Sequence, residues 1–114
     1  MTTIEGVNPQ MIANNLKSFQ PTHPGEVLKD ELEYRGISQR GLARRIDFSY
    51  STLNEVLNGK RALNLELAML LEAALDIEAA PLLAMQNEYD MVMAERDASF
   101  MEKLKRIRRI AVVL

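Results

Sequence analysis

Between Ser38 and Arg61 the chain gathers side chains suited to holding a polyanion and reading the edges of bases. With Leu53, Val56 and Leu57 on the inner side of a helix, Tyr50, Ser51, Asn54 and Glu55 project outward near its start, with Ser49 before them and Thr52 at the border. Hydroxyls and amides of this length hydrogen-bond to base edges or to phosphate. Gln39, at the start of a preceding short helix, is placed to reach a phosphate, with Arg40 or Arg44 beside it. Lys60 and Arg61 follow the outward-facing set and would meet backbone beyond it.

Other chemistries find little support. The chain has no cysteine and a single histidine, His23, which excludes thiolate metal sites and most imidazole chemistry. There is no HExxH, no glycine-rich phosphate loop and no Ser/His pairing. Asp30 and Glu33 read as surface charges rather than a general acid and base, and His23 as a helix cap. No catalytic residue, metal or cofactor is expected.

The elements that must position these side chains are helices. Leu, Ala, Glu, Arg and Met dominate while aromatic residues are few. In "HPGE", His23 suits an N-cap, Pro24 the first helical position and Glu26 the positive helix end. That helix, with Val27, Leu28 and Leu32 inward, ends at Gly36, and Ile37 folds back on it. Ser38 caps a second helix burying Leu42, Ala43 and Ile46; Asp47, Phe48 and Ser49 turn the chain; a third helix stops at Gly59. Asn64 caps a fourth with Leu67, Leu70, Leu71 and Ala74 at helical spacing, and a fifth starts near Pro81. Ser99 and Glu102 match a capping box, where the long helix bends or a new one begins. From Phe100, Leu104, Ile107, Ala111 and Leu114 recur at heptad spacing. Gly41 inside the second helix should cost roughly 0.5–1 kcal/mol.

At 114 residues and a formal net charge of −2, the chain has room for one domain with arms. The total conceals segregation. Residues 35–61 set Arg35, Arg40, Arg44, Arg45, Lys60 and Arg61 against Asp47 and Glu55. Residues 62–102 carry Glu66, Glu72, Asp76, Glu78, Glu88, Asp90, Glu95, Asp97 and Glu102 against Arg96 alone, and five cations follow within 103–109. Blocks of opposite sign suggest separate partners for separate faces. No apolar run reaches membrane-spanning length and the N-terminus lacks a signal-peptide pattern, so a cytoplasmic protein without membrane contact is expected.

"SQRGLARRIDFSYSTLNEVLNGKRALNLELAMLLEAAL" resembles the helix-turn-helix of the Cro/C1-type (XRE) family. With "HPGEVLKDELEYRGIS" before it, the stretch is similar to HigA-type antitoxins of toxin–antitoxin modules, over about residues 22–90. The resemblance implies an all-α, five-helix, lambda-repressor-like domain that binds palindromic operator DNA as a homodimer and represses its own operon. It also implies neutralisation of a HigB/RelE-like mRNA interferase encoded alongside. Gln39, Tyr50, Ser51 and Asn54 then fall where such proteins touch DNA, with Ser49, Thr52 and Glu55 beside them. Asp47 departs from the glycine usual in the turn, a position Asp tolerates because it visits left-handed backbone readily.

The expected organisation is an N-terminal arm over 1–21, a helix-turn-helix domain over 22–79 and a C-terminal helical extension over 80–114. A basic toxin would be met by the arm, with Ile12, Leu16 and Phe19 on one helical face, and by Glu26, Asp30 and Glu33 of the first helix. The acids of the fifth helix, Glu88, Asp90 and Glu95, are the alternative. Tyr89, Val92, Phe100, Leu104 and Ile107 are the candidate dimer interface. The second reading is a stand-alone phage or plasmid repressor of the same type with no toxin.

Overall fold

A computed structural model describes residues 20–113, with side chains through Ile110. Ile12, Leu16, Phe19 and Leu114 therefore lie outside the described residues, as does the side chain of Ala111. Six helices are present among the described residues: α1 Pro24–Arg35, α2 Gln39–Arg45, α3 Tyr50–Leu57, α4 Leu65–Leu75, α5 Ala79–Glu95 and α6 Ala98–Val113. The architecture is all-α, with one helix more than the expected five-helix count once the C-terminal segment is included.

Side-chain caps start most of these helices. The Nδ1 of His23 accepts from the Gly25 amide, Ser38 from Gly41, Ser49 from Thr52 and Asn64 from Leu67. Each satisfies an amide that has no partner within its own helix. The first three helices stop the same way. A residue in left-handed backbone follows each, namely Gly36 (φ 68°), Asp47 (φ 51°) and Gly59 (φ 73°). The next amide then donates back to a carbonyl of the last turn: Ile37 to Leu32, Phe48 to Ala43 and Lys60 to Glu55. Asp47 thus occupies the left-handed turn position expected of it.

The core forms where α1–α5 converge, around Leu28, Leu32, Leu42, Leu53, Val56, Leu57, Leu67 and Leu71. Val27, expected inward, is 40% exposed. One residue before Leu28 is one 100° step round the helix, and Leu28 and Leu32 already fill the inner side. The long fifth helix begins at Ala79, two residues before Pro81, and its amide is held by the Glu72 carboxylate at 3.1 Å. Ala79, Leu82 and Gln86 are buried, so the first half of α5 packs on the same core as α1–α4. Gln86 ties α5 to the loop after α3: its Oε1 accepts from the Leu63 amide at 2.9 Å and its Nε2 donates to Asp90 at 2.8 Å.

α6 begins one residue before Ser99, and its cap is Asp97, whose Oδ1 accepts from the Phe100 amide at 3.1 Å. The expected box on Ser99 and Glu102 is corrected accordingly. The Ser99 hydroxyl donates to that same Asp97 carboxylate at 3.0 Å, so it supports the cap instead of forming it. Asp97 immediately precedes the first helical residue, where a side-chain acceptor meets the free amides, whereas Ser99 already lies inside the helix.

Candidate nucleic-acid interface

α2 and α3 are joined by Ile46–Ser49 and pack on each other with Leu42, Ala43, Leu53, Val56 and Leu57 buried. That packing leaves one edge of each helix exposed. Ser51 is exposed and Thr52, Asn54 and Glu55 are half-buried. Gln39 lies at the N-terminus of α2, and its Oε1 accepts from Asn54 Nδ2 at 2.8 Å. The bond joins α2 to α3 at their shared outer edge. It also leaves Gln39 Nε2 to donate outward and Asn54 Oδ1 to accept. Two side chains that would otherwise be mobile are held in one geometry, which lowers the ordering cost of a contact.

Tyr50 packs against the core, with the Arg40 guanidinium 4.2 Å above its ring centroid. This cation–π contact aligns Arg40 along the surface. Arg40, Arg44, Ser49 and Tyr50 line a shallow groove of about 430 Å³ between the start of α3 and the outer face of α2. The cations of the following turn differ from one another: Lys60 is exposed, whereas Arg61 Nε is 2.8 Å from Glu55 Oε2. Glu55 therefore neutralises Arg61 and is committed to it.

The structure thus brings Gln39, Arg40, Arg44, Ser49, Tyr50, Ser51 and Asn54 onto one surface. Asn58 shares it without having been singled out from sequence: its Nδ2 donates to the Asn54 carbonyl at 2.9 Å and its Oδ1 accepts from Lys29 Nζ at 3.0 Å. Its spacing of four from Asn54 was the available signal. Gly25 was also missed. A Cβ there would sit 2.0 Å from the Val56 carbonyl oxygen, so only glycine lets α1 press against the end of α3. His23 completes this junction. It is 4% exposed, its ring meets Tyr89 edge to face at 4.9 Å, and it bonds the Arg61 backbone. Burial holds its pKa below the ordinary value of 6.5, against opposing effects of the Arg61 backbone bond and the Asp90 and Glu26 charges.

The other candidate residues lie elsewhere. Glu26, Asp30 and Glu33 are exposed on α1, on the side that also shows Tyr34 at 88% exposure. Tyr89 packs on His23 within its own chain, Val92 is half-buried, and Phe100 and Ile107 are exposed on α6. No group of His, Asp or Glu among the described residues is arranged to hold a metal ion, and no described helix is long and apolar enough to cross a membrane.

Residues 28–82 match the model of the helix-turn-helix family, HTH_3. The chain is 37% identical over 76 residues to virulence-associated protein I of Dichelobacter nodosus, spanning 66% of this chain and 70% of that protein. Among solved structures, it is similar to a Pseudomonas aeruginosa protein in complex with its operator DNA. The two share 35% identity and a TM-score of 0.61, over 65% of this chain and 81% of that one. It is also similar to the Pseudomonas aeruginosa antitoxin HigA with the higBA promoter, at 31% identity and a TM-score of 0.65, over 75% of this chain and 92% of the other. Two short helices packed in helix-turn-helix register, a matching family model and these likenesses together show that the chain belongs to the XRE-type helix-turn-helix family of non-enzymatic DNA-binding proteins, with HigA-family antitoxins among its structural neighbours.

Proposed function

We propose that this protein is a HigA-like antitoxin that binds operator DNA as a homodimer to repress its own operon and neutralises a RelE-like mRNA interferase. The observation that carries the DNA half is the Gln39–Asn54 bond at the outer edge of α2 and α3. α3 enters the major groove with Ser51 and Asn54 toward base edges, while Gln39, Arg40, Arg44 and Lys60 take phosphates. Ser49, Tyr50 and Thr52 line the approach, and Glu55 orients Arg61 toward the backbone.

The neutralising half rests on the exposed acidic side of α1, where Glu26, Asp30 and Glu33 accompany Tyr34. A toxin that holds RNA presents cations, and such a side complements them. Ile12, Leu16 and Phe19 of the arm are proposed to extend that contact. In this reading the arm (1–21) and α1 meet the toxin, the rest of the 22–79 domain meets DNA, and the extension (80–114) serves self-association.

A mobility shift on the promoter upstream of the gene, at fixed salt, tests the DNA reading. Asn54→Ala is expected to weaken binding about 10- to 100-fold and to relax specificity at one base position. Calorimetry against the product of the adjacent reading frame tests the rest. Loss of toxin affinity in the Glu26→Lys, Glu33→Lys variant supports the antitoxin reading. An intact shift with no affinity for that product favours a stand-alone repressor.

A further inference from the structure

Lys29 is the first cation of α1 and stands among acids. Glu26 and Glu33, three and four residues away, are at the spacings where a helix commonly holds an ammonium. Lys29 takes neither. Its Nζ reaches across to α3 and donates to Asn58 Oδ1 at 3.0 Å. Gly25 makes the reach possible. Without a Cβ it lets α1 close on the Val56 carbonyl, and Lys29 follows about one turn later on the same side of the helix.

Asn58 is itself tied to the reader. Its Nδ2 donates to the Asn54 carbonyl at 2.9 Å, and the Asn54 side chain donates to Gln39 Oε1 at 2.8 Å. Gln39, Asn54, Asn58 and Lys29 therefore form one hydrogen-bonded row from α2 through α3 to α1, along a single flank of α3. The row ends in an ammonium with two N–H groups unused, since lysine carries three donors. Lys60, two residues beyond Asn58, is exposed. Both cations lie at the C-terminal end of α3, where the last carbonyls favour positive charge.

We propose that Lys29 is a DNA-backbone contact supplied by α1: Asn58 aims its ammonium at a phosphate flanking the bases that α3 reads. This rests on the operator-binding reading above, and it adds a cation from the helix otherwise given to the toxin. A free lysine loses rotamer freedom when it takes a phosphate, and one already held by Asn58 has lost part of that freedom beforehand. Because Asn58 is neutral, the charge of Lys29 stays available. Arg61 differs, since Glu55 already neutralises it.

Mobility shifts of the full chain on the promoter duplex and on a scrambled duplex, at several salt concentrations, test this. Lys29→Gln removes the charge and keeps a donor for Asn58. It is expected to weaken both complexes by the same factor and to reduce the slope of log affinity against log salt by about one. Its deficit should accordingly narrow about threefold between 50 and 200 mM salt. Lys29→Arg should keep the slope, and the thermal unfolding midpoints of both variants should stay close to that of the unmodified chain. A slope unmoved by Lys29→Gln, whether or not the midpoint falls, overturns the contact and leaves Lys29 as a brace between α1 and α3, with the operator reading standing. Weakening confined to the promoter duplex overturns it as well. If the unmodified chain shifts neither duplex, the operator reading falls and the contact with it.

Discussion

The Nδ1 of His23 accepts from the Gly25 amide at 2.9 Å while the ring lies between Tyr89 and the end of α3. That geometry requires the neutral ring, because a protonated Nδ1 cannot accept. With its folded pKa below 6.5, His23 binds a proton more readily in the unfolded chain. Its contribution is therefore complete above 6.5 and declines as pH falls from there through the lowered folded value. Urea unfolding between pH 7.5 and 5.5 should show this loss, and His23→Asn, which keeps a capping oxygen, should flatten it. The close approach at Gly25 yields a second expectation. Gly25→Ala should destabilise by about 3 kcal/mol or more, because the Val56 carbonyl it would meet is backbone and cannot swing away. Gly41 behaves differently. A Cβ there would lie 2.9 Å from Ser38 Oγ, a side-chain atom, so glycine at this position makes room for the cap of α2.

At the level of elements, the reader is a pair of helices of 7 and 8 residues, too short to persist alone and dependent on the core beneath them. Gln86 is one of the supports. Gln86→Leu should cost about 1–3 kcal/mol, measured by thermal unfolding, because it strands the buried Leu63 amide. α6 depends on its own first turn. Asp97→Ala should reduce helicity by circular dichroism and cost about 1 kcal/mol, whereas Ser99→Ala should have little effect. The reverse ranking would restore the box that the sequence pattern suggested. Periodicity located α6 well, but Asp97 and Ser99 are both competent caps, and choosing between them requires the path of the chain at the bend.

Across the whole molecule, charge is arranged by face: basic along the reader, acidic on α1 and α5, basic again on α6. The operator complex should accordingly weaken steeply with salt. Lys60→Ala is expected to reduce the slope of log affinity against log salt by about one, uniformly across sequences. Arg61→Ala should change it less, because Glu55 already neutralises that guanidinium. Equal slopes for both variants would show that the ion pair opens on DNA. Arg35 works inward in a similar way: it pairs with Glu31 at 2.8 Å and donates to the Leu75 carbonyl at 2.7 Å, fastening the end of α1 to the end of α4.

Most helix starts, stops and inner faces were legible in the order of residues, Val27 and the cap of α6 being exceptions, because caps, left-handed turns and 3.6-residue periodicity act over neighbours in the chain. Periodicity likewise exposes Arg40, Arg44 and Ser51, whereas Tyr50, expected outward, packs against the core. Contacts between elements were not legible. Nothing local pairs Gln39 with Asn54, commits Arg61 to Glu55 or places the Val56 carbonyl against Gly25, since each joins residues brought together only by packing.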